Sequence, residues 1–147
     1  MKNALIAGMS ITIVEPNIEA IRAMQTEYKL DYDQVSYINV DIKIWKGKKS
    51  GQIPNHIDLV FDNLVDQPRH PQAILLYPAG SASFLSIMRE KMSPNALYIL
   101  YCPKNTLSVV KRPFDIAGLD YQSHASFRNE TELICFQKRP HQGRILS

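Results

Sequence analysis

Apolar positions change their spacing several times along this chain, and each change marks an element. Ile11 to Glu15 (ITIVE) is a short β-branched run closed by an acid, the pattern of a strand. Behind Pro16, Asn17 is a residue type that caps helices, and Ile18, Ile21, Met24 and Tyr28 recur after it at helical spacing. Val35 to Asp41 (VSYINVD) predicts a second strand, and Ile57 to Asp62 (IDLVFD) a third. All three strands deliver an acid at their C-terminal ends.

From Gln72 to Met92 the spacing is helical but interrupted by Pro78 and Gly80, so Ser81 is expected to cap a helix carrying Phe84, Leu85, Ile87 and Met88. Ser93, Pro94 and Asn95 predict a turn, and Ala96 to Cys102 a buried strand. A short helix is expected over Thr106 to Lys111, interrupted at Pro113. Tyr121 to Phe127 and Glu132 to Gln137 alternate as two strands, joined through Arg128, Asn129 and Glu130 as a hairpin. The chain thus reads as one domain over residues 1–139, followed by a loose tail over 140–147.

Strand, helix, strand, loop, strand, helix, strand and a terminal hairpin form an alternating plan. Alternation implies an α/β fold of three layers, with a mostly parallel sheet between helices and a C-terminal antiparallel hairpin. Ligands in such sheets sit at the carboxyl ends of the strands. Glu15, Asp41, Asp62 and Asn63 fall there and are the candidate site residues.

Composition narrows the picture only a little. The 147 residues are 45% hydrophobic and 21% charged with a formal net charge of +3, which fits a globular domain and excludes a disordered chain. Lys43, Lys46, Lys48 and Lys49 are the densest basic segment, able to meet nucleic-acid phosphates with Trp45 available for stacking; a solvated loop is the commoner use of such a run. Cys102 and Cys135 lie in apolar strand runs and read as buried free thiols. No Cys/His spacing suggests a metal, and no apolar stretch reaches the length of a membrane span, so a cytoplasmic protein is expected.

The order of these motifs resembles the Rossmann-like, S-adenosylmethionine-dependent methyltransferases of class I. In that family the second strand ends in an acid that bonds the ribose hydroxyls, which would be Glu15 in ITIVEPN. The acid after the third strand lies near the adenine amino group, which would be Asp41 in INVDI. The fourth strand ends at the catalytic edge and looks like IDLVFDNL, with Asp62 and Asn63 placed to orient or deprotonate the methyl acceptor. MREKMSPNALYILYCP is similar to the family's next helix, turn and fifth strand, and HASFRNETELICFQKR to its terminal antiparallel strands. The resemblance implies S-adenosylmethionine as cofactor.

One part of the family pattern is missing. Its first strand and glycine-rich turn should precede Ile11, where MKNALIAGMS offers Gly8 alone and reads better as the tail of a helix. Three expectations follow from that gap: the sequence is a fragment, a partner supplies the strand, or the fold is rewired. The first two imply a homo-oligomer or an obligate protein partner, and all three weaken cofactor binding by the isolated chain. A non-enzymatic binding or regulatory module on the same scaffold is the competing function.

A second, slighter resemblance is to response-regulator receiver domains. ITIVEPN looks like their opening strand, IDLVFDN like the phospho-acceptor strand and VVKRPF like the Lys-Pro segment. That likeness would make Asp62 the phosphate acceptor, Glu15 a magnesium ligand and Lys111 the phosphoryl contact.

Overall fold

The computed structural model describes residues 11–14, 17–28, 35–38, 53–64 and 82–140. The chain divides into two compact units, Met1–Pro54 and Asn55–Ser147.

The first unit holds strand β1 (Ile11–Val14), helix α1 (Ile18–Tyr28) and strand β2 (Val35–Ile38). The strands run parallel, Ile11 opposite Val35 and Val14 opposite Ile38, a pairing that requires a crossover connection between them. Asn17 starts α1 as its residue type predicts: Oδ1 accepts the backbone N–H of Glu19 at 2.9 Å and of Ala20 at 3.4 Å. Ile21 is buried on this helix.

The second unit is a four-stranded sheet in the order β3-β4-β6-β5, with β3 at Ile57–Asn63, β4 at Met92–Pro103, β5 at Leu119–Ser126 and β6 at Thr131–Lys138. Helix α2 (Ala82–Lys91) precedes β4, and helix α3 (Leu107–Ile116) follows it. β3 and β4 are parallel, whereas β4–β6 and β6–β5 are antiparallel. Together these elements are the mixed α/β plan that the alternation predicts, parallel strands followed by an antiparallel pair.

Register sorts the residues of this sheet into two faces. Tyr98, Leu100 and Cys102 stand opposite Phe136, Ile134 and Glu132, and this face carries the core together with Leu85, Val110, Phe114 and Leu119. Phe114 of α3 stacks on Phe136 with centroids 4.0 Å apart and meets Tyr98 edge-on at 5.1 Å. Leu59, Phe61, Ile99, Tyr101, Leu133 and Cys135 point to the other face.

Two sequence expectations need correction. The turn at Ser93, Pro94 and Asn95 lies inside β4: the ladder jumps from Ile57 opposite Met92 to Leu59 opposite Leu97, so these residues bulge from the strand, with Asn95 at φ 65. Pro113 does not interrupt α3, which continues to Ile116 because Val110 and Phe114, one turn apart, are both fully buried and anchor it across the proline. Ala117 caps the helix, and Gly118 follows it with a φ of +87, the left-handed conformation common after a helix C-terminus. Ser81 lies outside the described residues, as does the tail beyond Pro140.

Candidate functional site: the carboxyl edge of β3 and β4

Strand alternation separates the two neighbouring candidates at the end of β3. Asp62 stands opposite Leu100 and shares the core face, whereas Asn63 stands opposite Tyr101 on the other. The Asp62 carboxyl is held by Tyr98, whose buried hydroxyl donates to Oδ2 at 2.6 Å. Burial pushes the Asp62 carboxyl above its usual range, and the Tyr98 bond only partly offsets this. The Tyr98 phenol is pushed well above its ordinary value, by burial first and then by the neighbouring carboxylate. Asp62 therefore supplies the acceptor that a buried tyrosine needs, and it can also act as a base only at the expense of that bond.

The opposite face holds a feature that sequence reasoning missed. An open cavity of about 510 Å³ lies at the carboxyl ends of β3 and β4, and its described lining is Phe61, Tyr101, Phe127, Arg128, Asn129 and Leu133. Phe61, Tyr101 and Leu133 form its floor from three adjacent strands. The hairpin between β5 and β6 supplies the other three, and its turn is closed by Phe127 N–H to the Thr131 carbonyl at 2.8 Å. That turn is tied to the end of β4 by Lys104 N–H donating to the Glu130 carbonyl at 3.0 Å. Tyr101 meets Phe127 edge-on at 6.3 Å, and its hydroxyl oxygen accepts from Thr131 Oγ1 at 3.3 Å and Asn129 Nδ2 at 3.5 Å.

The sequence treats Tyr98 and Tyr101 alike, as core; Tyr98 is core, but Tyr101 is half-buried and lines the cavity. The period-two pattern of IDLVFDN was the available signal, since it places Phe61 and Asn63 on one face and Asp62 on the other. Glu15 and Asp41, assigned to the cofactor by resemblance, lie outside the described residues, as do Lys43, Trp45, Lys46, Lys48 and Lys49. Of the four candidate site residues, Asp62 and Asn63 are the two within the described residues, and Asp62 is engaged by Tyr98. Among the described residues no three His, Cys, Asp or Glu side chains gather as a metal site, and no helix is long and apolar enough to cross a membrane.

Lys111, the phosphoryl contact of the receiver likeness, lies within α3 with its ammonium over the Tyr121 ring, 5.5 Å from the centroid.

No protein family and no curated protein matches the chain by sequence. Solved structures match it by fold. A methyltransferase from Pyrococcus furiosus has a TM-score of 0.66 at 18% identity, over 93% of this chain and 68% of that one. The N-methyltransferase NodS from Bradyrhizobium japonicum WM9 has a TM-score of 0.57 at 13% identity, over 89% of this chain and 74% of that one. The [4+2]-cyclase SpnF has a TM-score of 0.61 at 8% identity, over 89% of this chain and 67% of that one. The chain has the Rossmann-like fold of the class I, S-adenosylmethionine-dependent methyltransferases, and the resemblance in its motif order holds at that level.

Proposed function

We propose that this chain is an S-adenosylmethionine-dependent methyltransferase-like domain whose ligands lie along the carboxyl edge of its strands. The observation that carries this reading is the parallel pair β3–β4 continued by the antiparallel pair β6–β5, in the order β3-β4-β6-β5, within a fold shared with solved methyltransferases. NodS has been solved in complex with S-adenosyl-L-homocysteine, which supports the same class of cofactor here. Glu15 and Asp41 are the residues assigned to that cofactor, and Asn63 lies on the same face of the sheet as the cavity floor. When bound, the cofactor's sulfonium supplies the activated methyl group, so the protein's task is to hold the nucleophile in line.

Partner dependence belongs to the same reading. Among the described residues β3 is hydrogen-bonded to a strand on one side only, and an open strand edge is a template for pairing. A second copy or an obligate partner that covers this edge would complete the sheet. Sedimentation checks it: a monomer at high concentration without hydrophobic-dye binding contradicts assembly.

A non-enzymatic binding module is favoured by one specific observation, the bond that commits Asp62 to Tyr98 and removes it from the cavity face. SpnF, whose name is that of a cyclase, shows that the fold hosts more than one chemistry. Calorimetric titration with S-adenosylmethionine and S-adenosylhomocysteine, on the wild type and on Glu15→Gln, tests the cofactor. Without a glycine-rich turn the isolated chain is expected to bind weakly, with Kd above about 1 μM, and Glu15→Gln is expected to weaken it further. No heat with either compound, in the presence and absence of a completing partner, leaves the binding module standing.

A further inference from the structure

We infer that the cavity at the carboxyl edge binds a small aromatic anion, a planar ring system lying among Phe61, Tyr101 and Phe127 with a carboxylate-like group meeting Arg128. That such a ligand is the methyl acceptor rests on the function proposed above, whereas its binding does not.

Three observations carry the inference. The volume of about 510 Å³ suits a small molecule, since such sites run to roughly 300–1,000 Å³. Apart from Leu133 its apolar lining is aromatic and comes from separate elements: Phe61 from β3, Tyr101 from β4 and Phe127 from the hairpin. Phe61 is 58% exposed and Phe127 42%, so two rings stand open to whatever enters. Aromatic faces gain most from a flat partner, through buried area and offset or edge-on ring geometry. Tyr101 is held by Thr131 and Asn129 at its hydroxyl, which fixes the plane of the floor before a ligand arrives.

The third observation is charge. Arg128 is the one charged residue among the described lining, and no acid pairs with it among the described residues. Arg22 and Arg139, by contrast, are each bound to carboxylates of this chain. A guanidinium at the rim of an apolar cavity favours an anion, because its planar fork of donors matches a carboxylate. A ligand with the opposite charge meets repulsion at the same place.

Calorimetry on the full chain with naphthalene-2-carboxylate, naphthalene-2-methanol and 2-naphthylmethylammonium tests this. The carboxylate is expected to bind at one site, at least about tenfold more tightly than the ammonium. Arg128→Gln is expected to erase that preference while leaving the neutral alcohol unchanged. Phe61→Ala is expected to weaken all three, and should that variant not fold, Phe61→Leu keeps an apolar side chain without the ring and carries the same test. Equal binding of the two charged probes overturns the inference, as does binding that Phe61 substitution leaves intact. So does a chain that is dimeric in sedimentation, binds no probe and becomes monomeric in Phe61→Ala, because a second copy then fills the cavity. Carboxylate binding without any response to S-adenosylmethionine sustains this inference and counts against the methyltransferase reading; cofactor binding without carboxylate binding does the reverse.

Discussion

Buried Tyr98 and half-buried Asp62 form a pair in which the phenol donates to the carboxylate at 2.6 Å, on the face of the sheet away from the aromatic cavity. Two neighbouring residues of β3 thus serve different layers: Asp62 accepts from Tyr98 on the core face and Asn63 faces the cavity side. Because burial raises the Asp62 pKa above the ordinary aspartate value of 3.8, the folded chain retains this proton where the unfolded chain has lost it. The resulting stability is complete below pH 3.8 and is lost as pH rises through the folded-state value.

Denaturant titrations across pH 3 to 8, bounds chosen to bracket the carboxylate range of about 4, are therefore expected to show a downward slope from Asp62 that disappears in Asp62→Asn. Asparagine still accepts from Tyr98 and removes a buried charge, so this variant is expected to be at least as stable as the wild type at neutral pH. Tyr98→Phe takes away the donor and is expected to cost about 1–3 kcal/mol. A large loss of stability in Asp62→Asn would show that the charge itself holds this edge together.

Much of this arrangement was legible from local pattern. The helix behind Asn17, the hairpin about Arg128–Glu130 and the faces of the strands follow from capping, turn chemistry and alternation, which act over a few residues. The cavity was not legible in the same way. Phe61, Tyr101 and Phe127 are far apart in sequence, and only the β3–β4–β6 register and the tie from Lys104 to Glu130 bring them together. Pro113 misled for a related reason: its local cost is set against the burial of Phe114 between Tyr98 and Phe136, residues that no helical window contains.

Burial governs the thiols. Cys102 is fully buried, and its thiol is pushed up to about 12, by desolvation first, with the carboxylates of Glu132 and Asp62 adding to it. A thiol of that pKa is about one part in 10⁴ thiolate at pH 8, so Cys102 is expected to be inert to Ellman's reagent in the native protein. Half-buried Cys135, raised by burial as well, is expected to react slowly and first. Unfolding in guanidinium should release both thiols together, and rapid native reaction of both would contradict the burial of β4.

Glu132 is an acid in an apolar position. It lies on β6 opposite Cys102, is 6% exposed, and among the described residues its Oε1 has no hydrogen-bond partner. A buried carboxylate oxygen without a donor is costly. Glu132→Gln removes the charge and is expected to stabilise the fold by about 1–2 kcal/mol. It is also expected to lower the Cys102 pKa, since one of the charges opposing the thiolate has gone. Thiol titration reads the second effect independently of the melting temperature, and a destabilised variant with an unchanged thiol would mean that Glu132 has a donor in solution.

Gly118 and Arg89 close the far end of the same sheet. The Arg89 guanidinium donates from Nε to the Gly118 carbonyl at 3.2 Å and from Nη2 to the Arg139 carbonyl at 2.7 Å, joining α2 to the turn after α3 and to the end of β6. Arg139 N–H in turn donates to the Gly118 carbonyl at 2.9 Å, and its guanidinium grips Asp115 and Asp120. Gly118 has φ +87, and a Cβ there would come within 2.7 Å of Arg89 Cδ and closer still to Nε. Gly118→Ala therefore meets two penalties, a left-handed backbone that costs roughly 1–2 kcal/mol for a residue with a side chain and the displacement of Arg89 from both carbonyls. The expected loss is about 2–4 kcal/mol, with the upper end reached if the Arg89 bonds break altogether. Arg89→Ala separates the two contributions, because it gives up the bonds while leaving the glycine unstrained. If Gly118→Ala in the Arg89→Ala background still costs what it costs in the wild type, backbone conformation alone explains the glycine; a smaller cost there shows that the guanidinium's close approach is the second reason for it.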